Sequence, residues 1–315
     1  MSKPIGTALN ESTPPLAAEY RFSTQGTKPN STNKSENGIA KAKSAFAAIA
    51  IYLELVVVAV IVLLPAIWIV SSSFNNSTSL ASSSLIPKNP TIVHYKNLLF
   101  KTNFMLWYGN TLKIALGNMV GSVLISMMTS YVFSRFRFKG KKSGLMTIMI
   151  LQMFPSFLGM TAIYILFLNF GMLDNLGSLT LTYIAGQIPY STWLMKGYLD
   201  GLPMSIDEAA MIDGASRFKI LYKLIIPLAF PMITFLAVTQ FMAPWMDFIF
   251  PRLLISSNSK KTLAIGLFDM ISGNMNNEFT KFAAGAVLVA VPITILYMFL
   301  QKYLIEGITA GANKE

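Results

Sequence analysis

Ser205 to Lys223 is the stretch whose residue types and spacing best suit specific chemistry, because acidic, small and basic side chains follow one another between two apolar stretches. Ser205 and Glu208 form a capping box, in which each side chain satisfies a backbone N–H at the start of a helix. Asp207 and Glu208 suit the positive end of the helix dipole, and the basic residues that follow suit its negative end. The pattern predicts one helix of about 15 residues.

This predicted helix carries a face of small residues that favours docking against another chain. Ala209, Ala210 and Gly214 would let a second backbone approach closely, and Asp213 beside them offers a charged anchor. Glycine inside a helix costs about 1 kcal/mol relative to alanine, so its presence calls for a packing reason. A linker helix at the membrane surface is the alternative; it explains the charges but not Gly214. A separate apolar stripe is formed by Met211, Ala215, Phe218 and Tyr222.

The residues that catalysis would need are scarce. The chain has no cysteine, which excludes disulfides and thiolate nucleophiles, and His94 is its single histidine, which argues against zinc chemistry. A G-x-x-x-x-G-K-[ST] phosphate loop does not occur; Gly140-Lys141-Lys142-Ser143 has the wrong spacing. We therefore expect a chain that is not an enzyme, binds no cofactor and does not hydrolyse ATP itself.

The composition is that of a membrane protein. The chain is 53% hydrophobic and 12% charged, whereas soluble domains carry about 25% charged residues. Six apolar stretches are long enough to cross a bilayer, which takes about 20 helical residues. They are Phe46–Val70, Thr111–Phe133, Leu145–Phe170, Leu179–Leu199, Leu224–Trp245 and Phe282–Leu300. We predict an all-α, polytopic membrane protein with six transmembrane helices over residues 45–305, preceded by a disordered tail over residues 1–44.

The basic residues predict the orientation. The loop SRFRFKGKKSG, residues 134–144, holds several Lys and Arg and no acid, whereas GMLDN, residues 171–175, holds neither Lys nor Arg. Short loops rich in Lys and Arg stay in the cytoplasm. Both termini, including the tail 306–315, and the segment from Ser205 to Lys223 are therefore expected on the cytoplasmic side. The net charge is +11, but the basic residues flank apolar spans instead of clustering on a polar domain. We therefore expect membrane lipid and no nucleic acid as a partner.

The stretch EAAMIDGASRFKILYKLIIPLAFP, residues 208–231, resembles the EAA loop of binding-protein-dependent ABC importer permeases. The matching positions are Glu208-Ala209-Ala210, Gly214 and Ile225-Ile226-Pro227-Leu228. The resemblance covers about residues 46–315 and implies the transmembrane domain of a type I ABC importer. It makes residues 205–222 the coupling helix, which fits a groove on the ATP-binding subunit. The residues it implies for that contact are Glu208, Ala209, Ala210, Asp213, Gly214 and Phe218.

Two further stretches resemble oligosaccharide permeases. QKYLIEGITAGANKE, residues 301–315, is similar to the end of the smaller permease of maltose/maltodextrin importers, although it departs from the Leu-Thr-Ala-Gly-Gly pattern at two positions; APWMDFIFPRLLI, residues 243–255, is similar to the end of the fifth span. The resemblance implies import of maltose or maltodextrin, with galacto-oligosaccharide as the alternative, across a bacterial plasma membrane. The implied partners are an ABC ATPase dimer that binds ATP-Mg, a second homologous permease and an extracellular sugar-binding protein.

A sugar path needs hydroxyl-binding and aromatic side chains inside the spans. The candidates are Gln152, Tyr183, Gln187, Tyr190 and Gln240. Buried polar groups also join helices to one another, so packing remains an alternative for each. Ion-coupled transporters place ionisable residues at mid-membrane, and only Glu54 could serve in this way. An intramembrane enzyme is the weaker rival, because the spans hold no carboxylate pair.

Overall fold

The computed structural model describes the backbone of residues 32–77, 86–87, 89–153, 155–272 and 278–312. In this part of the chain every regular element is a helix, which confirms the all-α prediction. Two compact units divide the chain at residues 62 and 63. Most of the predicted tail 1–44 lies outside the described residues, and its last part, residues 32–44, belongs to the first helix.

Thirteen α-helices follow one another along the described residues. They are α1 Thr32–Ser73, α2 Val93–Lys101, α3 Phe104–Arg135, α4 Lys141–Met153, α5 Ser156–Asn169, α6 Leu176–Asp200, α7 Met204–Ile212, α8 Arg217–Ile220, α9 Ile226–Leu228, α10 Phe230–Met246, α11 Ile249–Leu254, α12 Leu263–Ile271 and α13 Phe279–Ala312. A π-helical turn, Leu221–Ile225, joins α8 to α9. The predicted tail 306–315 is backbone helix as far as Ala312.

Three of the six predicted spans are continuous apolar helices in the described residues. They lie in α1, α3 and α13 and cover Phe46–Ser73, Phe104–Arg135 and Phe279–Tyr303. The third and fifth predicted spans are broken. α4 and α5 meet at an angle of 98°, and the helices over Arg217–Leu228 and Phe230–Met246 meet at 78°. Pro155 and Pro231 stand at these breaks, where the proline ring and the missing N–H interrupt the helical hydrogen bonds. The fourth, within α6, is continuous but rich in Ser, Thr and Tyr.

α3 is the central helix of residues 63–315 and makes its most extensive contact with α6, followed by α10. Gly117 and Gly121 lie one turn apart on its α6 side. A Cβ at position 121 would come within 2.4 Å of Ile184 Cδ1, so a larger residue there would require the Ile184 side chain to move. α12 lies across the start of α3, where a Cβ on Gly266 would come within 2.1 Å of Trp107 Cε3.

The two ends of α3 hold different structures. At its start, the Asn110 amide donates to the carbonyl oxygens of Ser259 and Lys261. At its finish, Tyr131 and Arg135 contact the segment that contains α7 and α8. We call these the α12 end and the α7 end of the bundle.

Candidate functional site

α7 begins two residues earlier than the capping box predicts. Pro203, with φ −56°, is the N-cap, and no side chain caps the first turn, so the predicted pairing of Ser205 with Glu208 is wrong. Proline is pre-organised for a helix start because its ring fixes φ near the helical value. Ser205 therefore lies inside the first turn.

The single helix predicted for the segment is also wrong, because α7 ends at Ile212. Gly214 takes φ +75°, its N–H bonds to the Met211 oxygen, and the Ala215 N–H bonds to the Ala210 oxygen at 2.9 Å. This pair of hydrogen bonds around a left-handed glycine is the Schellman motif that ends helices. Within this chain a Cβ at position 214 would meet no atom within 4 Å. Backbone conformation, rather than close packing inside a helix, explains this glycine.

A second short helix resumes after the break. Ser216 is its N-cap, and the Ser216 hydroxyl accepts from the Lys219 N–H at 3.3 Å. α8 then continues through the π-helical turn and α9 towards α10. The segment that contains α7 and α8 is thus joined covalently to a bent membrane helix.

α7 presents two different faces. Asp207 and Ala210 are buried, one turn apart, and Ala210 packs among Met195, Leu199 and Ile220. The outer face carries the exposed residues Ser205, Glu208, Ala209 and Ile212. Ala210, predicted to contact another chain, instead seats α7 on this one.

Large apolar side chains on the outer surface complete the site. Ile212 is 87% exposed, Phe218 73% and Tyr222 64%. Sequence analysis missed Ile212, which falls outside the predicted stripe, although its spacing of three and four residues from Ala209 and Glu208 marks the same face. We call Glu208, Ala209, Ile212 and Phe218 the outer patch. Asp213 and Gly214 are exposed beside it.

A buried ion pair holds α7 to the end of α3. Arg135 Nε lies 3.1 Å from Asp207 Oδ2, and the two side chains are 2% and 0% exposed. The Nε–H is not aligned on the carboxylate, so the contact is an ion pair without a well-directed hydrogen bond. The same guanidinium donates to the Leu202 oxygen and to Met204 Sδ, both at 3.2 Å. Sequence analysis used Arg135 only to orient the chain.

α8 contacts the same end of α3. The Tyr131 hydroxyl donates a long hydrogen bond, 3.4 Å, to the Arg217 carbonyl oxygen. The Arg217 guanidinium lies 5.3 Å from the centre of the Phe136 ring, within the range of a cation–π contact. Both short helices therefore rest on the last turn of α3 and the residue after it.

The exposed residues of this segment form a surface that suits protein docking. Among the described residues there is no group of three His, Cys, Asp or Glu that could hold a metal ion. The outer patch combines an exposed acid with exposed apolar side chains from α7 and α8, and the opposite face of α7 packs in the bundle.

The candidates for a sugar path are spread over three helices. Tyr183, Gln187 and Tyr190 share one face of α6, at spacings of four and three residues; the first two are half-buried and Tyr190 is exposed. The Tyr183 hydroxyl donates to Asp247 Oδ2 at 2.8 Å, a partner that sequence analysis did not identify. Gln152 is exposed on α4.

Gln240 occupies a different environment from the other four. It is 2% exposed, and its amide donates to Ser191 Oγ at 2.9 Å. Its backbone oxygen accepts from Asn118 Nδ2 at 2.7 Å. Gln240 thus joins α3, α6 and α10 in this conformation, which is the packing role that polar residues often have inside membranes.

Comparison with known proteins gives consistent matches. The family described as binding-protein-dependent transport system inner membrane component matches residues 117–309. The galactooligosaccharides transport system permease protein GanQ of Bacillus subtilis (strain 168) is 42% identical over 266 residues, covering 84% of this chain and 94% of that protein. The maltodextrin transport system permease protein MdxG of the same organism is 41% identical over 263 residues, covering 84% and 95%.

A solved structure shares the fold. One chain in the crystal structure of a bacterial ABC transporter involved in the import of the acidic polysaccharide alginate matches with a TM-score of 0.74 at 24% identity. The match covers 83% of this chain and 97% of that chain.

Proposed function

Because this chain belongs to the family of binding-protein-dependent transport system inner membrane components, and is a carbohydrate ABC importer permease with the type I fold, we propose that it carries maltose or maltodextrin. Galacto-oligosaccharide is the second candidate, supported by the 42% identical relative. Transport is by alternating access: closure of two ATPase subunits moves α7 and α8, and the membrane helices rock between outward and inward openings.

The outer patch is the observation that carries the proposed coupling to an ATPase. Ile212 and Phe218 are large exposed apolar side chains, and Ile212 shares a face of α7 with the exposed Glu208; the segment is held to α3 by the buried ion pair. Exposed apolar groups with a polar rim are typical of sites that bind another protein. The partner is an ABC ATPase dimer, which binds ATP-Mg, so this chain needs no nucleotide site or cofactor of its own.

The two ends of the bundle face opposite sides of the plasma membrane. The α7 end, with the outer patch, faces the cytoplasm, as the basic residues around Lys139 favour, and the same rule predicts cytoplasmic termini. The α12 end faces outwards, where an extracellular sugar-binding protein delivers its ligand. A second, homologous permease completes the path.

A neutral sugar fits the proposed path better than an acidic one. Tyr183, Gln187 and Tyr190 offer aromatic faces and an amide, which suit sugar rings and hydroxyl groups, and Gln152 is a further candidate. The Asp247 carboxylate, bonded to Tyr183, would repel an anionic sugar. This distinguishes the proposed substrate from alginate.

Purification of this chain from its native membrane tests the proposal. The expected complex contains two ATPase copies and a second permease, and its ATP hydrolysis rises when binding protein loaded with maltodextrin is added. Galacto-oligosaccharide is compared in the same assay. A chain that purifies alone, in a detergent that keeps known ABC importers assembled, would contradict the proposed partners, and stimulation only by galacto-oligosaccharide would replace the substrate.

A further inference from the structure

The segment of α7 and α8 is covalently joined to α6 before it and, through the π-helical turn and α9, to α10 after it. It also packs on α6 through Ala210, and the Tyr131 hydroxyl of α3 donates to the Arg217 oxygen. The buried ion pair between Asp207 and Arg135 is the charged contact that joins α7 to the end of α3. We propose that this ion pair is the link through which movement of α7 reaches α3, and this inference rests on the proposed function.

The burial of the pair makes the link stiff. Both side chains are at most 2% exposed, so neither charge can separate from the other and be solvated by water without a large displacement. An unpaired buried charge is strongly unfavourable, whereas an apolar contact tolerates sliding. α7 therefore cannot move away from α3 without breaking a contact that water does not replace.

The geometry places the link at the start of α7. The Arg135 guanidinium bonds the Leu202 oxygen, just before the helix, and Met204, its first residue, in addition to Asp207. These contacts fix both the position and the direction of the first turn. Displacement of α7 thus displaces the end of α3.

A displacement of α3 would be passed to the helices that pack against it. It packs along α6 and α10, and Gly117 and Gly121 bring it into close contact with α6. The face of α6 with Tyr183, Gln187 and Tyr190 belongs to the proposed path. Arg135 and Asp207 are accordingly positioning residues, which act on the path through α3 and α6.

The test measures sugar taken up per ATP hydrolysed, in proteoliposomes that hold the complete transporter. The variants are Arg135→Met, Asp207→Asn and the double variant Arg135→Met/Asp207→Asn. The double variant is decisive, because it leaves no unpaired buried charge and so removes the main reason for failed assembly. Lys196→Met is the control: Lys196 pairs with Asp200 one turn further along α6, and Asp200 keeps its hydrogen bond from Ser134 of α3 in this variant.

We expect the double variant to assemble with its ATPase and hydrolyse ATP, while its uptake per ATP falls at least tenfold. Asp207→Glu, which keeps the negative charge, should lose less uptake per ATP than Asp207→Asn. Lys196→Met should leave uptake per ATP unchanged. A double variant with normal uptake per ATP would overturn the inference and leave the pair a purely structural role. Failure of the proposed function is distinguishable, because the unaltered chain would then show no ATP-dependent uptake.

Discussion

Asp207 and Glu208 are neighbours in the chain but lie on different faces of α7: Asp207 is fully buried against Arg135, whereas Glu208 is exposed. Successive residues of a helix are about 100° apart around its axis, so two adjacent acids can serve different surfaces. One holds α7 to the rest of the chain, and the other is free to contact the proposed ATPase partner.

Ile212→Asp should release the ATPase without unfolding the permease. The side chain is 87% exposed, so a charge costs little in the isolated chain but opposes burial in an apolar groove. We expect normal amounts of the chain in the membrane and at least tenfold less co-purified ATPase. Ile212→Val is the control and should bind normally. Equal ATPase recovery from both variants would remove Ile212 from the docking surface.

Substitutions at Gly214 distinguish a role in the backbone turn from a role in direct contact with a partner. At φ +75° alanine is strained by about 1 kcal/mol, whereas asparagine tolerates this conformation better. If the turn dominates, Gly214→Asn should transport faster than Gly214→Ala, although asparagine is larger. The opposite order would mean that a partner backbone packs directly on position 214. Gly214→Trp should uncouple transport in either case, as measured by uptake per ATP.

Gly266→Ala should destabilise the α12 end. Its Cβ would come within 2.1 Å of the Trp107 ring, and overpacking of this kind costs about 1–3 kcal/mol. Gly186→Ala in α6 is the matched control, because its Cβ would meet no atom within 4 Å and alanine favours a helix. Thermal unfolding in detergent should show a lower Tm for the first variant only. Equal Tm values would mean that Trp107 moves aside freely.

The lowered pKa of Asp174 predicts how the stability of the α12 end depends on pH. Partial burial alone would raise the pKa of this carboxyl, but hydrogen bonds from Ser257, Ser256 and Lys260 outweigh it and hold the pKa well below its usual range. A lowered pKa stabilises the folded state above the unfolded value of about 3.9, and this contribution is lost as the pH falls towards the folded value.

Protection of the Ser256 and Ser257 amides from hydrogen exchange, corrected for the chemical rate, should therefore stay constant between about pH 5 and 8. Asp174→Asn should weaken it at every pH, since asparagine tolerates the φ of +54° but carries no charge for Lys260. Loss of protection in the unaltered chain at pH 6 would contradict this explanation.

Gln187→Ala and Tyr190→Ala should raise the KM for the sugar while leaving basal ATP hydrolysis unchanged. The two side chains share a face of α6, and removal of a sugar contact typically costs about 1 kcal/mol, or roughly fivefold. Thr234→Ala on α10 is a control, because its hydroxyl bonds only the Phe230 oxygen of its own helix. A KM that stays constant in both α6 variants would move the path elsewhere.

The sequence predicted the membrane class and three of the six spans, which are continuous apolar helices in α1, α3 and α13, because hydropathy is a local property. It did not predict that two spans are bent at Pro155 and Pro231, since a proline inside a membrane helix is compatible with a kink, a break or neither. The EAA-like pattern located the outer patch but not its faces.

The missed features depend on conformation and on distant residues. The helical pattern runs through Gly214 without interruption, so only the left-handed φ reveals that α7 ends there. Ala210 was predicted on the docking surface because it is a small residue in the EAA-like pattern; its actual partners Met195 and Leu199 come from α6, which no local pattern shows. Likewise, the Arg135–Asp207 pair joins two helices far apart in the sequence, and nothing local to either residue indicates it.

The most direct test of the central claim is sugar uptake into proteoliposomes that contain the purified transporter, with the energy source varied. The account predicts uptake of maltodextrin when ATP is present on the side of the outer patch and sugar-loaded binding protein on the other, abolished by Ile212→Asp and unaffected by collapse of proton and sodium gradients. Uptake that follows an ion gradient without ATP, and that Glu54→Gln abolishes, would contradict it and establish an ion-coupled carrier.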